Sequence, residues 1–261
     1  MGFWSKLAQW FDPPEEATPE FQPGWIETLN ERIPLYPKLP PELRENLHGK
    51  LTHFVARKNF EACGDLELTD EMVLTIAGQA CLLVINHPGP PFPKLRSILI
   101  YPSAYRATQR VVDSLGIVTE REVVRLGESS SSGTVVLAWD AVLQGAHNYF
   151  DGHNVALHEF AHQLDQAHGR ADGTPLLDCP SRYGPWSQVL EAGHRQLSQL
   201  KAKRKRSVLD KYGATNHAEY FAVATESFFE KPRQLARKRP ELYAELRAYY
   251  RVDPAQWFTQ G

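Results

Sequence analysis

Val155-Ala156-Leu157-His158-Glu159-Phe160-Ala161-His162-Gln163-Leu164-Asp165 sets the pattern His-Glu-x-x-His among apolar residues at helical spacing. At 3.6 residues per turn, His158 and His162 fall one above the other on one helix face. Two imidazole nitrogens can then converge on an ion about 2.0–2.1 Å away. Glu159 stands beside the first histidine, where its carboxylate reaches a metal-bound water without binding the ion. Asn154 can cap this helix, Phe160 and Leu164 can anchor it, and Gly169 can end it. The competing reading is two surface histidines flanking a solvated glutamate, and the apolar neighbours weigh against it.

A catalytic zinc wants three protein ligands and one open position. A third histidine just downstream does not serve, because His168 follows on the same helix and the glycine spacer and methionine turn of that motif are missing. The other source is a glutamate from a later helix. Tyr212-Gly-Ala-Thr-Asn216-His-Ala-Glu219-Tyr-Phe-Ala-Val-Ala-Thr-Glu226-Ser-Phe-Phe-Glu230 holds two candidates, Glu219 and Glu226, nearly two turns apart and able to face the motif helix together. Asn216-x-x-Glu219 is also a capping-box pattern that would occupy the Glu219 carboxylate locally, and Glu226 could be solvated or could orient a ligand imidazole. Asp165 and Asp178 could accept hydrogen bonds from ligand imidazoles, although single acids are more often surface or turn residues. His153 reads as a surface histidine.

The remainder of the 261-residue chain supplies the setting. Phe3, Trp4, Leu7, Trp10 and Phe11 form an aromatic cluster, read as docking on the body, and residues 12–23 are rich in proline and acid, as in an extended linker. Two units follow: residues 1–23 as aromatic segment and linker, and residues 24–261 as one domain. Helices are expected over 40–57, from 69 through Leu83, and over 154–168, 185–205, 216–230 and 240–251. Ser97–Tyr101 and Thr134–Trp139 read as buried strands, with Gly127–Gly133 a flexible turn between them. Strands in the middle with helices on either side indicate an α+β fold, a small mixed sheet packed on helices with a predominantly helical C-terminal part. The segment Thr134–Trp139 is expected to bind an extended substrate by strand addition.

These residues resemble the Mlc titration factor A family of metallopeptidases, related in their catalytic region to the anthrax lethal factor protease domain. The likeness rests on Val155–Asp165, on Glu219-Tyr-Phe-Ala-Val-Ala-Thr-Glu226-Ser-Phe-Phe-Glu230, on Tyr101-Pro-Ser-Ala-Tyr105 and on Val135-Val-Leu-Ala-Trp139. It implies a zincin-like domain of the gluzincin type, with one Zn2+ held by His158, His162 and Glu219. It further implies Glu159 as general base, Tyr212 as the phenol that stabilises the oxyanion, and aminopeptidase-like activity. Some members are held inactive by an extra histidine ligand from the segment before the central strand. This chain has no histidine between His87 and His147, so either Glu120 or Glu122 takes that place or the chain lacks this form of closure.

Other chemistries find little support. With a formal net charge of −2, no global field draws the chain to nucleic acid or acidic membrane. The run Lys201-Ala-Lys-Arg-Lys-Arg206 reads as a solvated helix end. Cys63, Cys81 and Cys179 are odd in number and form no Cys-x-x-Cys pair, which fits a reducing compartment. No membrane span or signal sequence is read, so the expected location is the cytoplasm. No Gly-x-Ser-x-Gly elbow, P-loop or dinucleotide fingerprint is present. The expected function is zinc-dependent hydrolysis of peptide bonds by Glu-assisted attack of zinc-bound water on a peptide substrate. The resemblance adds a regulatory role in the glucose phosphotransferase system through the Mlc repressor. The alternative is a partner-binding regulator whose zinc site is structural or latent.

Overall fold

The computed structural model describes residues 20–112 and 118–258, and for 107–112, 118–121 and 123 the backbone alone. The expected aromatic cluster at Phe3–Phe11 and most of the linker lie outside the described residues. Phe21, at the end of that linker, stacks on His48 with ring centroids 3.8 Å apart and packs against the core.

Two helices lead into the sheet, α1 (Trp25–Arg32) and α2 (Pro41–Arg57), followed by strand β1 (Asn59–Ala62) and helix α3 (Asp70–Leu83). Proline opens α2, where its missing N–H costs nothing. Thr69 caps α3 by accepting from the Met72 amide at 3.3 Å. Helix α3 is apolar almost all round and buried almost all round, as a helix at the centre of a core must be.

The strands β2 (Ser97–Tyr101), β5 (Gly127–Ser130) and β6 (Thr134–Ala138) join β1 in one sheet of order β1-β2-β6-β5. The first three positions are parallel and β5 closes one edge antiparallel to β6. Ile98, Ile100, Val135 and Leu137 are fully buried, which is why their strands occupy the middle. A separate antiparallel hairpin, β3 (Tyr105–Val112) with β4 (Val118–Arg125), leads into β5.

Two expectations change here. Strand β6 ends at Ala138, and Trp139 begins helix α4 (Trp139–His147). More consequentially, β6 is paired on both sides, by β2 and by β5, so its backbone offers no free edge to a peptide. The segment expected as a flexible turn is the edge strand itself, followed by a tight reversal at Gly133, whose φ is +87°.

The remaining described elements are helical: α5 (Val155–Asp165), α6 (Tyr183–Ala202), α7 (His217–Glu230), α8 (Pro232–Lys238) and α9 (Pro240–Tyr250). Phe54, Phe92 and Phe160 pack their rings at 5.2–5.9 Å, fixing α5 against α2. Among the described residues, no helix is long and apolar enough to cross a membrane.

Candidate metal centre

Helix α5 starts where Asn154 accepts a hydrogen bond from the Leu157 amide at 3.0 Å. Its end is set by a short 3-10 turn and by Gly169, which takes a left-handed φ of +92°. Helix α7 is capped by Asn216, which accepts from the Glu219 amide at 2.9 Å. Only this half of the capping box forms. The Glu219 carboxylate turns toward α5 instead, where its Oε2 lies 3.0 Å from Nε2 of His158 and 3.4 Å from Nε2 of His162.

The two Nε2 atoms face each other at 3.1 Å. Among the described residues, His158, His162 and Glu219 are the one group of three such side chains whose ligand atoms all lie within 4.8 Å. Two imidazole nitrogens and a carboxylate oxygen crowded around one point form the donor set expected of a divalent transition-metal ion with one position left open. The chain's own residues therefore fit such an ion.

Glu226, two turns along α7, serves His158 from behind. Its Oε1 accepts from Nδ1 of His158 at 2.7 Å and its Oε2 from the Asn154 amide at 2.6 Å. With the proton held on Nδ1, Nε2 presents its lone pair to the centre. One turn further, Glu230 accepts from the Gly152 amide at 2.9 Å and from Nδ2 of Asn154 at 3.1 Å. The sequence reading offered the orienting role for Glu226 and passed over Glu230. The signal was present, since residues 219, 226 and 230 share one helix face.

Asp165 and Asp178 engage neither imidazole. Asp165 is fully buried and accepts from the Gly173 amide at 2.9 Å, while Asp178 pairs with Arg251 at 2.8 Å. Glu122 is exposed and ion-paired to Arg106 at 3.1 Å, and the Glu120 side chain lies outside the described residues. His153 sits at the cleft rim, 3.5 Å from Asp210.

Glu159 is buried beside His158 and faces β5: a Cβ on Gly127 would lie 2.6 Å from both its Cγ and its Oε1. Burial raises its pKa, opposed by the neighbouring His158 and His162. For Glu219 burial acts the same way, but its close contacts with the His158 and His162 rings outweigh it and hold its carboxyl down to about 2. Tyr212 stands on a 3-10 turn before α7, with its amide bonded to Asp210 and its ring 6.0 Å from the His158 ring. It is 55% exposed, and burial of part of the ring followed by the Glu219 charge raises its phenol pKa. Glu159, Glu219 and Tyr212 line a cleft of about 740 Å³ together with Val124, Leu126 and Gly127.

The family of glucose-regulated M90 metallopeptidases matches residues 8–251. The chain belongs to this metallopeptidase family. A Synechocystis protein described only as uncharacterized is 40% identical over 233 residues, covering 89% of this chain and 85% of its own length. A Klebsiella pneumoniae protein named Mlc titration factor A is 32% identical over 237 residues, or 89% of this chain and 87% of its own. Its Salmonella agona namesake is 30% identical over 256 residues, covering 96% and 94% of the two chains. M90 membership implies a metal ion, and the cluster of His158, His162 and Glu219 could hold one.

Proposed function

We propose that the chain is a zinc-dependent peptidase of gluzincin type, in which His158, His162 and Glu219 hold one zinc ion and Glu159 is the general base. The observation that carries this reading is the meeting of the three ligand atoms at 3.0–3.4 Å, with a buried carboxylate next to the first histidine. A bound zinc ion would supply Lewis acidity, polarising the scissile carbonyl and acidifying water. Glu159 takes the proton from the attacking water and passes it to the leaving amine, a task suited to a carboxylate whose pKa burial has raised. Tyr212, at the cleft wall, donates its phenolic proton in a hydrogen bond to the developing oxyanion. Glu226 fixes the tautomer and ring orientation of His158.

An extended peptide would lie along β5, the sheet edge nearest Glu159. Aminopeptidase-like activity and a cytoplasmic location belong to this reading through the family resemblance. A second reading is favoured by the name of the Klebsiella and Salmonella relatives: capture of an Mlc-like transcriptional repressor, with the zinc site structural or latent.

Glu159→Gln separates the two. It is expected to abolish peptide hydrolysis while the purified protein keeps one zinc per chain. Retained hydrolysis would remove Glu159 from its role. Repressor capture that survives the substitution would show that binding is independent of chemistry.

A further inference from the structure

Strand β5 is an edge strand, yet its outer side is not uniformly open. Leu126 accepts from the Ala138 amide at 2.8 Å, and the register pairs Glu128 with Val136 and Ser130 with Thr134. In an antiparallel ladder, alternate residues turn both backbone groups to the partner. Leu126, Glu128 and Ser130 therefore point to β6, and Gly127 and Ser129 point outward.

The outward carbonyl of Ser129 is already taken, because Nε2 of Gln166 donates to it at 3.3 Å. Gln163 holds the same stretch from the same helix side, donating to Oγ of Ser129 at 2.6 Å and to the Ser130 carbonyl at 3.0 Å. Residues 159 and 163 share one face of the motif helix and Gln166 opens the 3-10 turn that ends it, so this one segment carries both the carboxylate that faces Gly127 and the amides that hold β5. Among the described residues, no partner occupies the outward N–H and C=O of Gly127, and Gly127 is the position in contact with Glu159.

Resting on the peptidase reading above, we infer that Gln166, braced by Gln163, caps the Ser129 carbonyl of the β5 edge so that a peptide finds both a backbone donor and a backbone acceptor at Gly127 alone. Two-sided main-chain recognition is one residue deep and lies next to Glu159. Ligands are short extended peptide segments, and length beyond that residue gains no bond to the Ser129 carbonyl. Gln166 is a positioning residue: it sets how much of the edge is available and touches no reacting group.

The test uses the zinc-loaded full chain carrying Glu159→Gln, so that nothing is cleaved. A fluorescein-labelled Ala-Val hexapeptide and its singly N-methylated forms are titrated by fluorescence anisotropy. With Gln166 present, one methyl position is expected to weaken binding. With Gln166→Met, which keeps the volume and removes the donor, a second sensitive position should appear two residues away, because outward residues recur at that spacing. The unmethylated peptide should then bind about three- to tenfold tighter, the size of one net hydrogen bond. Two sensitive positions at that spacing with Gln166 in place, or none in either protein, would overturn the cap. If the wild-type chain still cleaves peptides, the cap alone falls. If it neither cleaves nor binds them, the peptidase reading falls too.

Discussion

Glu219 and Glu226 both reach His158, on opposite ring nitrogens, at 3.0 Å and 2.7 Å. Removing a group that orients a ligand typically costs about 10–100-fold in metal affinity, and removing a ligand costs more. Zinc titration against a competing chelator should therefore rank Glu219→Ala as the worse variant and Glu226→Ala as the milder. The reverse order would make Glu226 the ligand. Gly127 gives a second residue-scale prediction, because an added Cβ would press on Cγ and Oε1 of Glu159 and lie 2.8 Å from Val155. Gly127→Ala should lower kcat at least about tenfold by displacing the base, at a stability cost of roughly 1–3 kcal/mol for overpacking. Unchanged kcat would mean that the carboxylate there has no part in the chemistry.

Helices α5 and α7 are stitched by two carboxylates one turn apart, and Glu230 makes that contact sensitive to pH. Burial pushes its pKa up to about 8, with the hydrogen bond from Asn154 opposing. An unfolded glutamate titrates near 4.3, so between about pH 4.3 and 8 the folded chain keeps a proton that the unfolded chain has lost. The contribution is complete below that window and is lost as pH rises through it, at up to about 1.36 kcal/mol per pH unit. Urea unfolding at pH 6 and pH 8 should show this loss in the wild type and a shallower one in Glu230→Gln. Equal slopes would place the titration elsewhere. The caps of both helices could be read from Asn154 and Asn216, since a side-chain oxygen before an apolar helical run is a local signal. Which way the Glu219 carboxylate turns was not local. It depends on α5 lying opposite, and only then do two imidazoles outcompete the capping box.

Across the whole molecule, the legible parts were those with local periodicity: the motif helix, the helical C-terminal part and the buried strands β2 and β6. Strand β5, Gly-Glu-Ser-Ser, looked like a turn because an edge strand needs few apolar residues, and its pairing partner follows only after a reversal. The same gap misassigned the peptide edge to β6. Hairpin β3–β4 escaped for a related reason, since half of β4 is charged and β3 is broken by Arg106 and Arg110. The core formed by Phe54, Phe160, Phe221, Phe228 and their neighbours is built from apolar side chains other than the three candidate ligands. Chelation should therefore lower the melting temperature without unfolding the chain at 25 °C. For zinc at a hundred times its Kd the loss is about 2.7 kcal/mol, roughly 5–10 °C for a domain of this size. The most direct measurement is anomalous X-ray diffraction across the zinc edge on crystals of the purified chain. One full-occupancy peak bonded to Nε2 of His158, Nε2 of His162 and the Glu219 carboxylate is the predicted result. Absence of a peak there from zinc-saturated protein, or a peak whose carboxylate ligand is Glu226, would contradict it.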